Sequence, residues 1–160
     1  MRHLSAIAMV WAAIAALPAA GQTAAAPQVK LAAGKLAGAS EAGIERFFNI
    51  PFAAAPVGAL RWRAPHAPAR WKGVRDASKL GPACPQTVRP ALVAGGVADN
   101  QSEDCLQLNI WRPAGAKKLP VMLWIHGGAH VVGSGTFPAF DGSAFARQGV
   151  ILVTINYRLG

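Results

Sequence analysis

Acidic side chains are scarce in this sequence. Asp and Glu number seven against sixteen Lys and Arg, which leaves a formal charge of +9. Such an excess would suit a nucleic-acid binder if the cations gathered into a patch or a helical stripe. They do not: Arg61, Arg63, Arg70, Lys72, Arg75 and Lys79 are scattered among Pro, Trp and Gly, so nucleic acid is not an expected partner. Charge of either sign is thin, at 14% of residues against 52% hydrophobic, and that balance excludes general disorder. Much of the hydrophobic share is alanine, which adds little to a core. The core must come from the Val, Ile, Leu and Trp residues of the second half. The length, 160 residues, suits one domain at most.

Long apolar runs are also few. The only extended one is Leu4 to Leu17, which follows a short basic stretch, Arg2-His3, and precedes the small residues Pro18-Ala19-Ala20-Gly21. That order is the pattern of a cleavable secretory signal, with cleavage after Gly21. The run falls short of the ~20 residues that span hydrocarbon, so a stable membrane anchor is not expected. Residues 1–21 are read as the signal, residues 22–160 as the exported portion, and the destination as periplasmic or secreted. Cysteine is almost absent. Cys84 and Cys105 are the two present, and an even count in an exported chain fits one disulfide, with two buried free thiols as the alternative.

The first half is punctuated by glycine and proline. Val29 to Leu36 places apolar residues on both sides of a glycine turn, which predicts a short hairpin. Gly43 to Phe52 reads as an extended stretch. From Pro51 to Pro90 proline is too frequent for long helices or central strands, and the segment is expected to be irregular and held by Trp62 and Trp71. Ala91 to Gln101 reads as a surface loop. The second half is more regular. Leu106 to Trp111 alternates, with Leu106, Leu108 and Ile110 against Gln107 and Asn109, which predicts a strand with its apolar face covered. Pro113 to Lys118 is a turn. Val121 to Ile125 is a continuous apolar run, expected to be a strand buried on both faces. Asp141-Gly142-Ser143 can cap a short helix that stops at Gly149, and Val150 to Ile155 is a second buried strand. Strand, loop, helix, strand is a parallel crossover, so the fold class is α/β. No internal repeat is present.

The most informative segment is His126-Gly127-Gly128-Ala129, directly after a predicted buried strand. Acyl transfer builds negative charge on the former carbonyl oxygen, and preset backbone N–H groups stabilise it. Glycines allow a sharp turn and close approach of main chain to a ligand. An α/β-hydrolase presents such donors on a strand that ends in His-Gly-Gly and a small residue. A plain glycine turn would read the same on the tetrapeptide alone.

The surrounding motifs decide between them. Ser102 to Ile110, containing Glu103-Asp104-Cys105-Leu106, resembles the Glu-Asp-Cys-Leu signature of the type-B carboxylesterases, the cholinesterase-like α/β-hydrolases. Asn49 to Gly58 is similar to that family's Gly-Ile-Pro-Tyr-Ala-x-Pro-Pro segment. Leu60 to Pro65, Trp71 to Ala77, Gly81 to Gln86, Phe140 to Ser143 and Val153 to Gly160 follow in the family's order. The hormone-sensitive-lipase group shares the His-Gly-Gly element but usually has Tyr-Arg-Leu-Ala-Pro where Tyr157-Arg158-Leu159-Gly160 stands here.

The resemblance implies carboxylic ester hydrolysis through a serine acyl-enzyme, on a small-molecule ester, with no cofactor and no metal. It implies that the main-chain N–H groups of Gly128 and Ala129 are oxyanion donors, with a third supplied by the residue after the serine. His126 and Gly127 would support the loop, His126 as a brace and not as the catalytic histidine. Cys84 would pair with Cys105, and Arg61 with Glu103 in a buried salt bridge. Three positions depart from the family pattern. Asn49 replaces a usual glycine, Ala54 a usual proline or aromatic, and His130, at the pocket rim, a usual Phe or Tyr. An imidazole there would make the rim more polar, or simply substitute in packing.

Gly-x-Ser-x-Gly is lacking altogether; Ser134, between two glycines, lies in the loop itself. In this fold the acid and histidine of the triad follow the serine. The chain is therefore expected to be the N-terminal part of an α/β-hydrolase, stopping before the nucleophile strand and inactive by itself. A non-catalytic, cholinesterase-like binding or adhesion module and an inactive truncated gene product are the competing expectations. Substrate identity and oligomeric state are not encoded in these motifs.

Overall fold

The computed structural model describes residues 25–87 and 99–160. The proposed signal, residues 1–21, and most of the loop over 91–101 lie outside the described residues. The expected hairpin is present. Strands β1 (Gln28–Lys30) and β2 (Lys35–Ala37) pair antiparallel, and Leu31 and Gly34 close the turn through two main-chain hydrogen bonds. Two further short strands were not anticipated, because three-residue pieces show no periodicity. These are β3 (Ala39–Glu41) and β5 (Val74–Asp76). β5 adds to β2 in parallel and completes a small sheet, β1-β2-β5.

The main sheet has the order β3-β4-β6-β8-β7, with β4 spanning Ile44–Pro51, β6 Gln107–Pro113, β7 Val121–Ile125 and β8 Ile151–Ile155. β7 and β8 run parallel in register from Val121–Ile151 to Ile125–Ile155. The helix α1 (Ser143–Arg147) makes the crossover between them, as the sequence predicts. Asp141 Oδ1 accepts the N–H of Ser143 at 2.8 Å, which turns the chain into α1. β4 and β6 are antiparallel, and their register shifts between Phe47 and Ile50. Asn49 sits in that bulge with φ 54°. Glycine adopts such a left-handed conformation most easily and asparagine next, so the departure from the family's usual glycine is a conservative one.

The sheet is covered on both sides near its centre. Ile44, Phe48, Trp111, Ala146 and Leu152 form the core under α1, with the rings of Phe48 and Trp111 4.9 Å apart. On the other side Leu36, Phe47, Ile50 and Ala77 pack with Val29, Trp71, Leu108 and Ile110 beneath the small sheet.

Four expectations need correction. In β6 the alternation is present but inverted: Gln107 and Asn109 are 2% and 1% exposed, whereas Leu108 and Ile110 are only half-buried. Asn109 is buried because it holds the loop that follows β7, and Gln107 because it holds the carbonyl of Pro82. Second, β7 is not buried. Its residues are 41–64% exposed, since among the described residues β8 alone lies beside it. Third, Trp62 does not hold the proline-rich segment; it is 67% exposed. Trp71 does, donating from Nε1 to the carbonyl of Lys35 at 2.8 Å. Fourth, Arg61 and Glu103 pair at 2.6 Å, but with side chains 58% and 42% exposed. That is a solvated ion pair, not a buried one.

Candidate active site

The segment after β7 turns back on itself within five residues. The carbonyl of Gly128 accepts the N–H groups of Val131 and Val132, at 3.0 and 3.1 Å. Gly128, Ala129 and His130 have φ of 125°, 53° and 61°. Two successive non-glycine residues in the left-handed region are costly, on the order of 1–3 kcal/mol each, and persist only where the surroundings enforce them. Gly128 is irreplaceable on steric grounds, because a Cβ there would lie 1.8 Å from the carbonyl oxygen of Val132. The consequence is chemical. Among the described residues, no acceptor meets the N–H of Gly128 or of Ala129. The loop that carries them borders a concavity of about 420 Å³ lined by Ile125, His126, Gly127, Ala129, His130, Ile155 and Tyr157. Ile125 and Ile155 are the last residues of β7 and β8, so the hollow lies at the carboxyl ends of parallel strands. That is where open α/β sheets bind ligands.

His126 is buried beneath this hollow. Its ring stacks on Tyr157, and Nδ1 lies 2.9 Å from the carbonyl oxygen of Gly127. A carbonyl can only accept, so Nδ1 carries the proton. Nε2 is buried with no hydrogen-bond partner. Burial pushes the imidazole below its ordinary pKa, more than the Gly127 carbonyl raises it. His126 is thus a neutral brace at pH 7. Tyr157 donates its hydroxyl to the carbonyl of His126 at 2.7 Å, and burial pushes its pKa up. His130 is exposed at the rim, with its ring edge-on to Tyr157.

Behind the loop lies a buried polar network. Asn156 uses its full hydrogen-bonding capacity. Oδ1 accepts from the N–H of Gly135 and the hydroxyl of Ser134, and Nδ2 donates to the carbonyls of Pro82 and Cys105. Asn109 donates to the carbonyl of Gly135 and to Thr154, and Thr154 donates to the same carbonyl at 2.7 Å. Gln86 bonds both the N–H and the carbonyl of Gly133. Ser134 is fully buried, and its Oγ also pairs with Thr136 at 2.7 Å, so it is not available to attack a substrate. Cys84 and Cys105 form a disulfide that joins residues 21 apart.

Gln86, Asn109, Thr154, Asn156 and Tyr157 were not singled out from the sequence. The signal was there as polar residues at alternate positions of otherwise apolar strands, Gln107 and Asn109 in β6, Thr154 in β8 and Asn156 just after it. It reads equally well as a wet face.

A carboxylesterase-family model matches residues 25–160. The chain belongs to the carboxylesterase family. Over 122 residues it is 51% identical to the fumonisin B1 esterase of Sphingopyxis macrogoltabida, an alignment that covers 75% of this chain and 22% of that protein. It is also 39% identical over 154 residues to neuroligin-2 of Mus musculus, with 73% and 18% coverage. Among solved structures, a PNB esterase superposes with a TM-score of 0.77 at 44% identity, covering 83% of this chain and 28% of that one. This family member therefore spans between 18% and 28% of the length of these proteins. The α/β-hydrolase fold is common to the matched esterase structures, and the mixed sheet described above is its corresponding part.

Proposed function

We propose that this chain carries the oxyanion-binding loop of a serine carboxylesterase. The observation that supports it is the pair of unpartnered main-chain N–H groups, Gly128 and Ala129, held open by a buried network at the carboxyl end of a parallel strand pair. When a serine hydroxyl adds to an ester carbonyl, the oxygen becomes an anion. Two N–H groups held in place by the fold of the loop stabilise that anion without reorganising. The apolar hollow formed by Ile125, Ile155 and Tyr157 suits a small-molecule carboxylic ester. The serine, its acid and its base are not among these 160 residues, so the chain alone is proposed to be inactive. The likeness to neuroligin-2, a relative not named as a hydrolase, supports a second reading, a non-catalytic binding module. We further propose export of the chain, a reading supported by the disulfide, which suits an oxidising compartment.

The test is a chimera in which residues 25–160 replace the corresponding part of the PNB esterase. Hydrolysis of a short-chain aryl ester is expected. Nonsense suppression can then place lactic acid at Ala129, which exchanges the N–H for an oxygen and leaves the methyl side chain in place. The expected loss is about 10²–10³ in kcat, the usual cost of one oxyanion donor. A folded chimera that keeps its kcat after this exchange would rule the reading out.

A further inference from the structure

The disulfide and the oxyanion loop are joined by two side chains, one from each half-cystine. On one side the carbonyl of Cys84 accepts from Gln86 Nε2 at 3.1 Å. The same nitrogen donates to the carbonyl of Gly133 at 2.9 Å, and Gln86 Oε1 accepts the N–H of Gly133 at 2.8 Å. On the other side the carbonyl of Cys105 accepts from Asn156, whose Oδ1 holds Ser134 and Gly135. Gln86 is itself fixed, because its main-chain N–H donates to Gln101 Oε1 at 2.8 Å. A carboxamide donates to both carbonyls and accepts from the one N–H while staying neutral at every ordinary pH.

Gly133 in turn sets the donors. Its α-carbon packs on the His126 ring and on the carbonyl of Gly127; a Cβ there would lie 2.3 and 2.5 Å from them. Its neighbour Val132 puts its carbonyl against the α-carbon of Gly128 and bonds back to the Gly128 carbonyl. With no slack in these contacts, a displacement of Gly133 is passed on to Gly127 and Gly128.

We propose that Gln86 is a positioning residue: its carboxamide registers Gly133, and through it the N–H of Gly128, against the Cys84–Cys105 disulfide. The proposal rests on the reading of the 126–130 loop as an oxyanion site only for its catalytic consequence. The structural part can be tested without any activity.

Hydrogen–deuterium exchange of the full 160-residue chain, disulfide intact, reads the register directly. Gln86→Met keeps the volume and removes the amide. Exchange of the amides in 127–137 should rise at least about tenfold, while β6 and β8 stay within about twofold of the parent. Gln86→Glu is the discriminating variant. Its carboxylate can accept from Gly133 but repels the carbonyls of Gly133 and Cys84. Once protonated it can donate as well as accept. The variant-to-parent ratio of loop exchange should therefore fall back towards one as pH drops through the titration of the new carboxyl. A merely space-filling residue would give a flat ratio. In the PNB esterase chimera, Gln86→Met should lower kcat about tenfold with KM unchanged, as expected for loss of transition-state geometry. Unchanged loop exchange in Gln86→Met, or loosening shared equally by β6 and β8, would overturn the proposal. A loosened loop in an active chimera with normal kcat would overturn the oxyanion reading instead.

Discussion

The imidazole of His126 lies flat on the phenol ring of Tyr157, with centroids 4.3 Å apart and planes within 11° of parallel. The contact joins the end of β7 to the chain leaving β8, and it closes further through the Tyr157 hydroxyl on the His126 carbonyl. A charged imidazole could not keep this place, because its second N–H would point into a buried site with no acceptor.

A pH dependence follows. Burial holds the folded-state pKa of His126 below the ordinary value. Below the unfolded pKa of about 6.5 the unfolded chain binds a proton that the folded chain refuses. Stability is therefore full above that value, falls as pH drops below it, and levels off once the folded pKa is passed. Denaturant melts at a series of pH values should show this slope in the parent chain and a weaker one in His126→Gln. NMR of the imidazole should place its midpoint below the ordinary histidine value of about 6.5.

Two substitutions separate buried polar structure from surface charge. Asn156→Ala strands the Gly135 N–H and takes one of two donors from each of the carbonyls of Pro82 and Cys105, which keep their bonds from Gln107. At about 1–3 kcal/mol for the unsatisfied buried N–H and about 0.5–1.5 kcal/mol for each of the two lost bonds, the total loss should be at least about 2 kcal/mol. Arg61→Ala breaks a solvated pair and should cost at most about 1 kcal/mol. Chemical melts of both variants against the parent check the contrast; equal losses would contradict it.

Ser134 is the residue a motif search would pick as a nucleophile, yet its hydroxyl is sealed between Asn156 and Thr136. Ser134→Ala in the esterase chimera should leave kcat within about fivefold of the parent, far from the roughly 10⁶-fold loss that follows removal of a true serine nucleophile. The unaltered 160-residue chain should show no burst of product from an aryl ester.

Export carries its own test. Mass spectrometry of the periplasmic or secreted product should find a chain that begins near Gln22, and alkylation without reductant should leave Cys84 and Cys105 unmodified. Reduction should lower stability by about 3 kcal/mol, the chain-entropy value for a loop of this size. An intact Met1 on membrane-bound material would mean that the leader is not cleaved.

The sequence alone determined the α/β class, the β1–β2 hairpin, the crossover through α1 and the place of the His126–Ala129 loop after a strand. These are local properties: periodicity, glycine and proline placement, and capping act over a few residues, and the motifs around them are contiguous. The tertiary structure decided which face of β6 is inside, that β7 lies exposed at a sheet edge, and that Arg61 and Glu103 meet in solvent. It also decided that Gln86, Asn109, Thr154 and Asn156 converge on one loop. Alternation has the same period whichever face is buried. A polar stripe becomes core only when the backbone groups it must satisfy, here those of Gly133 and Gly135, are brought against it from residues 19 to 47 positions away.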